Sequence, residues 1–415
     1  MLQFIREFRS LSSAQRRAFA AAFFGWMLDG FDFTILTFVL ADIQRSFTVD
    51  NALAGALGTI TLMLRLIGGA AAGAAADRWG RKLPLVLSIV WFSLFTVLSG
   101  FSTSYAMLFA CRALFGIGMG GEWAAGMPLA LEHLPDRLRG AAAGILQGAW
   151  AWGYISSALV FQTVYPVLRS EMAEAWRAMF WIGAIPAVLV LWIRSNVAES
   201  PVWLQLHQQG SSAPAASGRV SLARIFKRDL IATTVHCSLL AACFMVSYYS
   251  VTYWYARFLQ TRELNTLPFV IALNAGGIIG SAFWGGVSQG RLGRRGAVTC
   301  AAALGVLVSP LYLMSMDVPI LLVGALAVGF GAHGMWGAFP SYITERFPSE
   351  VRGAGAGFCY HAGALMGSFT SYGIGHLVDR GWTLPSAMTL SIALSGLAVS
   401  LVIWLGPETR DRPFQ

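Results

Sequence analysis

One stretch decides how this chain is interpreted: Gly73-Ala-Ala-Ala-Asp77-Arg78-Trp79-Gly80-Arg81-Lys82. It lies where an apolar run ends and a cluster of basic residues begins, and a second copy, Gly286-Val-Ser-Gln289-Gly290-Arg291-Leu292-Gly293-Arg294-Arg295, follows 213 positions later. Glycine lets two helices approach closely and supplies a turn without a Cβ, while basic residues hold such a loop on the cytosolic side of a membrane. We therefore predict a tight cytoplasmic loop between two membrane helices, present twice.

Composition supports a membrane location. The chain has 415 residues, of which 56% are hydrophobic and 12% charged, and its mean hydropathy is +0.61, far outside the range of soluble proteins. The net charge of +9 is scattered over short loops and forms no stripe, which excludes nucleic acid as a partner. The five cysteines lie inside apolar runs without metal-ligand spacing, so we expect packing residues, no disulfide and no cofactor or metal.

The apolar runs predict an all-α membrane protein, because a bilayer core of about 30 Å requires roughly 20 apolar residues in a helix. Twelve segments qualify, at approximately 20–41, 52–74, 82–100, 105–128, 141–164, 176–195, 230–256, 266–288, 296–315, 319–342, 353–377 and 383–405. The loops on the amino-terminal side carry 21 basic residues and those on the other side six. This bias predicts a multi-pass protein of the cell inner membrane with both termini in the cytoplasm.

The sequence contains an internal repeat that indicates a duplication. A shift of 213 positions aligns Gly80 with Gly293, the run 132–144 with 345–357, and Gly116 with Gly329. Between 196 and 229 the composition changes to Gln, Ser, Ala, Pro and Gly followed by basic residues, which is typical of a flexible linker. We predict an N-terminal six-helix bundle (1–195), a cytoplasmic linker (196–229) and a C-terminal six-helix bundle (230–415), related by pseudo-symmetry.

Twelve spans in two halves, with Gly-x3-Asp-Arg-x-Gly-Arg-Lys between the second and third, resemble the major facilitator superfamily over essentially the whole chain. The stretches that resemble sialate and organic-acid proton symporters are Gly25-Trp26-Met27-Leu28-Asp29-Gly30-Phe31-Asp32-Phe33, Arg112-x3-Gly116-x-Gly118-x-Gly120-Gly121-Glu122-Trp123 and Glu199-Ser200-Pro201-Val202-Trp203. Aromatic-acid symporters carry similar signatures in the first span. The resemblance implies a midplane substrate site between rocking halves and a conformational latch loop formed by Gly73, Asp77, Arg78, Gly80, Arg81 and Lys82.

Five ionisable residues lie inside predicted spans, all in the first half: Asp29, Asp32, Arg65, Arg112 and Glu122. Each costs about 2.5 to 3.5 kcal/mol at the centre of a membrane helix, so each requires a partner or a role. Asp29 and Asp32 share one helix face, and repulsion and desolvation favour protonation of at least one of them. We predict that Asp29, Asp32 and Glu122 serve proton coupling, with Asp32 slightly favoured of the two aspartates. The alternatives are a fixed ion pair between one aspartate and either arginine, and a structural role for Glu122.

Arg65 and Arg112 are candidate ligands of a substrate carboxylate, because a guanidinium stays charged and forks onto carboxylates. A structural bridge to the first span is an equal alternative for each. Neutral or weakly basic side chains complete the predicted substrate-binding set; they are Gln147, Trp150, Tyr154, Tyr248, Asn274, His333, Tyr360 and His361. A membrane histidine is more often hydrogen-bonded to a neighbouring helix than used in proton transfer.

These observations predict a proton-coupled symporter that imports a small organic anion such as sialate or another monocarboxylate, with no enzymatic activity. Aromatic-acid symport is one alternative, and efflux of a metabolite or drug by proton antiport is another. The fifth span lacks the Gly-Pro-x-x-Gly-Gly run that is typical of drug antiporters of the superfamily, which disfavours efflux. The expected partners are the substrate, protons and the lipid bilayer, and we expect a monomer.

Overall fold

The computed structural model describes residues 11–184, 188, 192–193, 195–201, 203–204, 223–348 and 351–410. Helices dominate these ranges, and we number the successive spans α1 to α12. The first half contains α1 (Ser13–Phe47), α2 (Asn51–Trp79), α3 (Lys82–Gly100), α4 (Tyr105–His133), α5 (Asp136–Thr163) and α6 (from Trp176 to Ile182), with a short helix Tyr165–Glu171 between α5 and α6.

The second half follows the same plan. It contains α7 (Ile231–Thr252, continued by Tyr255–Thr261), α8 (Thr266–Val287), α9 (Gly293–Leu313), α10 (Val318–Val328, with a further helix Phe339–Thr344), α11 (Arg352–Gly367 and Phe369–Asp379) and α12 (Leu384–Leu405). The predicted all-helical fold class is therefore confirmed. Of the predicted linker, residues 205–222 lie outside the described residues, so the division into two bundles stays a prediction.

Eight helices of the described residues are long and apolar enough to cross a membrane. They belong to α1, α2, α3, α7, α8, α9, α10 and α12. Polar caps stabilise their ends: the Asp50 side chain accepts from the Leu53 N–H at the start of α2, and the Asp317 side chain accepts from the Ile320 N–H at the start of α10. Such caps satisfy backbone donors that the helix itself leaves unpaired.

Glycines bring helices into direct backbone contact at equivalent places in the two halves. A methyl group on Gly116 of α4 would lie 2.0 Å from the carbonyl oxygen of Thr61 in α2. Gly329, its counterpart 213 positions later, would place a methyl group 2.0 Å from the Leu273 carbonyl oxygen in α8. Neither site has room for a larger residue, so these contacts fix the positions of α2 and α8.

The two halves differ in the helix that carries this glycine. In the first half α4 is continuous from Tyr105 to His133, whereas α10 passes through a π-helical turn at Gly329–His333 and a 3₁₀ turn at Gly334–Gly337. Such irregular turns recur at functional sites, because they re-aim side chains. Here the π turn carries His333.

Hydrogen bonds between the halves close one end of the molecule. We call the end with the α2–α3 and α8–α9 loops the basic face, and the end with the α1–α2 loop the opposite face. Towards the opposite face, Asp379 accepts from the Ala52 N–H at 2.8 Å, and the Tyr253 hydroxyl donates to the Ala54 carbonyl at 3.0 Å. Among the described residues, the hydrogen bonds between the halves lie at the middle of the molecule or towards this face.

Candidate functional site

Asp29 lies near the middle of α1 and is completely buried. Neither of its carboxylate oxygens has a hydrogen-bond partner among the described residues. Its positively charged neighbours are the guanidinium groups of Arg65 and Arg112. A buried carboxyl group that is not fixed by hydrogen bonds can change its protonation state without the loss of a structural contact.

Asp32 lies one turn further along α1 but points into a different environment. One of its oxygens accepts a hydrogen bond of 3.4 Å from the Thr96 hydroxyl on α3, and the other faces Gly183 beside α6. Arg112 is the nearest positive charge. Its guanidinium carbon lies 3.9 Å from the centre of the Phe115 ring. Asp32 and Arg112 therefore form a second group of charge, buried among helices of the first half.

Arg65 occupies the centre of α2, fourteen residues from each end of the helix. Its guanidinium carbon lies 5.0 Å from the ring centre of Trp26 and 5.9 Å from that of Trp150, both in the first half, and 5.6 Å from that of Tyr360 in the second half. Two of its nitrogens, Nε and Nη2, have no hydrogen-bond partner among the described residues. The arginine thus presents unused donors within a ring of aromatic side chains from both halves.

Glu122 approaches this group from α4 and is likewise buried. Its Oε1 would lie 2.6 Å from a methyl group on Gly25, so the glycine leaves room for the carboxyl group. Its Oε2 has no partner among the described residues, and its charged neighbours are Asp29 and Arg65. Three of the five predicted charges, Asp29, Arg65 and Glu122, are therefore brought together.

Histidines and aromatic rings of the second half form the wall opposite Arg65. Trp123 stacks on Tyr360 with 4.7 Å between ring centres and an interplanar angle of 3°. His361 meets the edge of Trp123 at 5.5 Å, and neither of its ring nitrogens has a partner among the described residues. A methyl group on Gly69, one turn after Arg65, would lie 2.8 Å from the His361 Nε2.

A second chain of contacts crosses between the halves beside this wall. The Trp150 Nε1 donates to the Tyr248 hydroxyl, and the Tyr248 ring stacks on His333 with 4.8 Å between ring centres. Gln147 lies within hydrogen-bonding reach of the Tyr360 hydroxyl. The structure therefore brings six of the eight neutral candidates into one region: Gln147, Trp150, Tyr248, His333, Tyr360 and His361.

The contacts of the other two neutral candidates lie elsewhere. The Tyr154 hydroxyl donates to the Thr252 carbonyl at 3.1 Å, and its ring packs against Phe38. The Asn274 amide donates to the Val270 carbonyl of its own helix at 2.9 Å. Neither set of contacts involves a residue of the group around Arg65.

Two aromatic residues of the site were not among the predicted site residues: Trp26 and Trp123. Trp26 precedes Asp29 by three positions on α1, so its helical spacing placed it on the same face. The chain has 15 tryptophans, most of which are expected at lipid or interfacial positions, and this number concealed the two that matter.

On the basic face, the first copy of the repeated loop is held by two glutamates. Gly80 has a φ of 93°, a backbone conformation that favours glycine. Glu199 accepts from the backbone N–H groups of Arg81 and Lys82 at 2.8 and 3.1 Å, and the Arg81 guanidinium reaches Glu132 at 3.3 Å. Of the residues that the structure describes, Ala124 alone comes within 4.0 Å of a methyl group placed on Gly73. The predicted latch residues Asp77 and Arg78 have side chains outside the described residues.

The second copy repeats this network. Gly293 has a φ of 67°, Glu408 accepts from the N–H groups of Arg294 and Arg295 at 3.0 and 3.1 Å, and Arg294 pairs with Glu345 at 2.8 Å. Burial raises the pKa of Glu408, but the four backbone N–H groups that donate to it outweigh this effect, so its pKa lies below the ordinary value. Glu408 is therefore ionised at neutral pH and holds the loop by charge-assisted hydrogen bonds.

Comparison with known proteins gives a consistent result. A family model described as Major Facilitator Superfamily matches residues 22–371. The chain is 34% identical over 407 residues to a protein named "Probable 4-methylmuconolactone transporter" from Cupriavidus pinatubonensis, covering 97% of this chain and 93% of that one. It is 27% identical to the "Sialic acid transporter NanX" of Escherichia coli, with 95% of each chain covered.

Solved structures share the same fold. The inward open conformation of the xylose transporter XylE from E. coli superposes with a TM-score of 0.75 at 21% sequence identity, covering 95% of this chain and 97% of that chain. The family match spans most of the residues that carry the helices, the repeated loops and the midplane charges described above. The chain therefore belongs to the major facilitator superfamily, a family of membrane transporters and not of enzymes.

Proposed function

We propose that this protein imports a small organic monocarboxylate together with protons, across the inner membrane and with both termini in the cytoplasm. The main support for this proposal is the environment of Arg65. Its guanidinium group is buried and has unused donors, and it is surrounded by Trp26, Trp150 and Tyr360 from both halves. A carboxylate accepts two parallel hydrogen bonds from such a group. The aromatic rings provide apolar faces for the rest of the substrate.

The rings favour a planar, unsaturated or aromatic acid over a sugar acid. A flat substrate can stack on aromatic faces, whereas sialate carries hydroxyl groups that need more hydrogen-bond partners than aromatic faces supply. The names of relatives support this choice: a 4-methylmuconolactone transporter is 34% identical and a cis,cis-muconate transport protein 27% identical. The sialic acid transporter, at 27%, keeps sialate as the second candidate.

His361 is proposed to set the orientation of the substrate. Its ring lies near Arg65, which acts on it electrostatically, and both of its nitrogens lack partners among the described residues. A neutral imidazole offers one donor and one acceptor. With the carboxylate on Arg65, a hydroxyl or carbonyl group at the far end of the ring would pair with His361.

Charge balance supports proton coupling. Among the described residues of the first half, three carboxyl groups, Asp29, Asp32 and Glu122, and two guanidinium groups, Arg65 and Arg112, are buried. An additional anion on Arg65 competes with Asp29 for the same positive charge. Because uncompensated charge is costly in the membrane interior, each bound monocarboxylate is expected to be matched by one proton, with Asp29 the favoured acceptor. This gives an electroneutral one-to-one symport.

Closure of one face is consistent with alternating access. The hydrogen bonds of Asp379 and Tyr253 join the halves at the opposite face, which the proposed orientation makes the outer one. Binding near the midplane between two bundles that rock against each other is the expected geometry of such transporters. The glutamate networks of the two basic-face loops are proposed to hold each half rigid while it moves.

Uptake of labelled carboxylates into proteoliposomes with an imposed pH gradient tests this function. We expect accumulation of an aromatic or unsaturated monocarboxylate when the outside is acidic, collapse of that accumulation by a protonophore, and little response to membrane potential at zero pH gradient. Accumulation driven only by the reverse gradient would indicate antiport and contradict the proposal. Sialate preferred over aromatic acids would contradict the assignment of substrate shape.

A further inference from the structure

Two adjoining clefts open at the opposite face, on the seam between the halves. Their volumes are about 690 and 580 Å³, and they share Ala41, Arg45 and Arg257 in their walls. The smaller cleft is lined in the first half by α1, the end of α5 and the short helix Tyr165–Glu171, and in the second half by Arg257 and Gln260. A small organic acid fits within a cleft of this size.

The smaller cleft carries an excess of positive charge. Arg45 pairs with Asp42 at 2.5 Å, and Asp42 also accepts from the Tyr165 hydroxyl at 2.6 Å. Arg169 and Arg257, which also line it, have no ion pair or side-chain hydrogen bond among the described residues. Two guanidinium groups from different halves therefore lack a direct ion-pair partner in one cleft, and the Asp42 carboxylate attracts Arg257 only at longer range.

The positive charge of the clefts is unusual, because few basic residues of the chain belong to the opposite face. Only six of the 29 basic residues belong to the opposite face by the loop assignment from sequence, and three of those six line the paired clefts. Arg257 is half-buried and lies in the electrostatic field of Arg45. The positive charges of Arg45 and Arg257 repel each other, and an anion bound beside them relieves this repulsion.

We propose that the cleft around Arg45, Arg169 and Arg257 is an outer docking site for the carboxylate of the substrate, distinct from the midplane site at Arg65. This inference rests on the proposed function, because the docking site takes the same class of anion as the midplane site. Guanidinium groups bind carboxylates through paired hydrogen bonds. A basic cleft also raises the local concentration of an anion and its rate of association.

The position of the cleft connects docking of the substrate anion with its entry from the opposite face. Gln260, in its wall, donates to the Phe38 carbonyl at 2.8 Å, which is one of the hydrogen bonds that join the halves. Opening of this face separates Arg257 in the second half from Arg45 and Arg169 in the first. The anion then loses one side of its docking site as the path towards Arg65 opens.

Transport kinetics measured separately from each face test the proposal. The variants are Arg257→Gln and Arg169→Gln, in proteoliposomes of known orientation, with labelled benzoate as the probe. From the opposite face we expect KM to rise about threefold to tenfold and to lose most of its dependence on salt, as expected for electrostatic attraction. The maximal rate from the opposite face, and KM from the basic face, stay unchanged.

Arg380→Gln is the matched control, because it removes the same charge from the same face outside the clefts. Arg169 is exposed, so its variant tests the site even if Arg257→Gln folds poorly. An unchanged outer KM in both variants, or the same shift in Arg380→Gln, would overturn the docking site while leaving the proposed function intact. If the wild-type protein moves no carboxylate from either face, both proposals fall.

Discussion

The two halves of the molecule are alike at the basic face and unlike at the midplane. At the basic face, Arg81 with Glu132 and Arg294 with Glu345 form equivalent ion pairs, at 3.3 and 2.8 Å. At the midplane, the five charges of the first half have apolar counterparts 213 positions later, namely Ala242, Met245, Ile278, Ala325 and Met335. The equivalent ion pairs of the basic face belong to the framework that a rocking motion requires. We place substrate binding and proton coupling at the charges that only the first half carries.

The largest effect is expected from Arg65. Arg65→Gln leaves a substrate carboxylate unpaired in the membrane interior, which costs about 2 to 5 kcal/mol, or about 30-fold to several thousand-fold in affinity. Equilibrium binding of the labelled acid to purified protein measures it. Ile278→Leu, at the equivalent position of the second half, is the control and should bind normally; affinity within threefold of wild type in Arg65→Gln would exclude this arginine as the carboxylate ligand.

Loss of the carboxyl group of Asp29 is expected to separate accumulation from exchange. Asp29→Asn cannot take up a proton, so uptake against a gradient should fall by about tenfold or more, while exchange of labelled for unlabelled substrate continues, because Arg65 remains. Asp32→Asn should keep more accumulation than Asp29→Asn, because the Asp32 carboxyl group already accepts a hydrogen bond from Thr96. Wild-type proton-driven accumulation in both variants would show that neither aspartate carries the proton.

A smaller effect, on selectivity, is expected from His361. His361→Phe keeps the aromatic shape but removes both ring nitrogens, so 4-hydroxybenzoate should lose affinity by about 1 kcal/mol, or fivefold, relative to benzoate. The measurement is the ratio of KM values for the two acids. Equal losses for both would mean that His361 packs against the substrate ring without pairing with its polar end.

Stability at the basic face gives the smallest expected difference. Arg294 and Glu345 expose 9% and 8% of their side chains, whereas Arg81 and Glu132 expose 17% and 22%. Because solvent screens the more exposed pair, Glu345→Gln should lower the free energy of unfolding by about 1 to 3 kcal/mol, and Glu132→Gln by less. Thermal unfolding in detergent compares them; a larger loss in Glu132→Gln would contradict the ranking.

The sequence was sufficient for the fold class, the repeated loops and the five midplane charges. Charges inside apolar runs are costly enough to stand out, and glycines such as Gly80 and Gly293 mark turns whose backbone conformation favours glycine. The partners of those charges could not be predicted, because the contact of Asp32 with Thr96 depends on how α1 and α3 pack. Trp26 looked like any other membrane tryptophan, and nothing in the local sequence of α10 predicted its π turn.

In the proposed mechanism, the charges of the first half couple one proton to each anion. The most direct measurement is the number of protons that enter proteoliposomes per labelled carboxylate, obtained from an internal pH indicator and tracer uptake in the same sample. We predict one proton for each anion in the wild type and a marked loss of this coupled proton entry in Asp29→Asn. Anion uptake without proton entry in the wild type, or an unchanged ratio in Asp29→Asn and Asp32→Asn alike, would contradict the account.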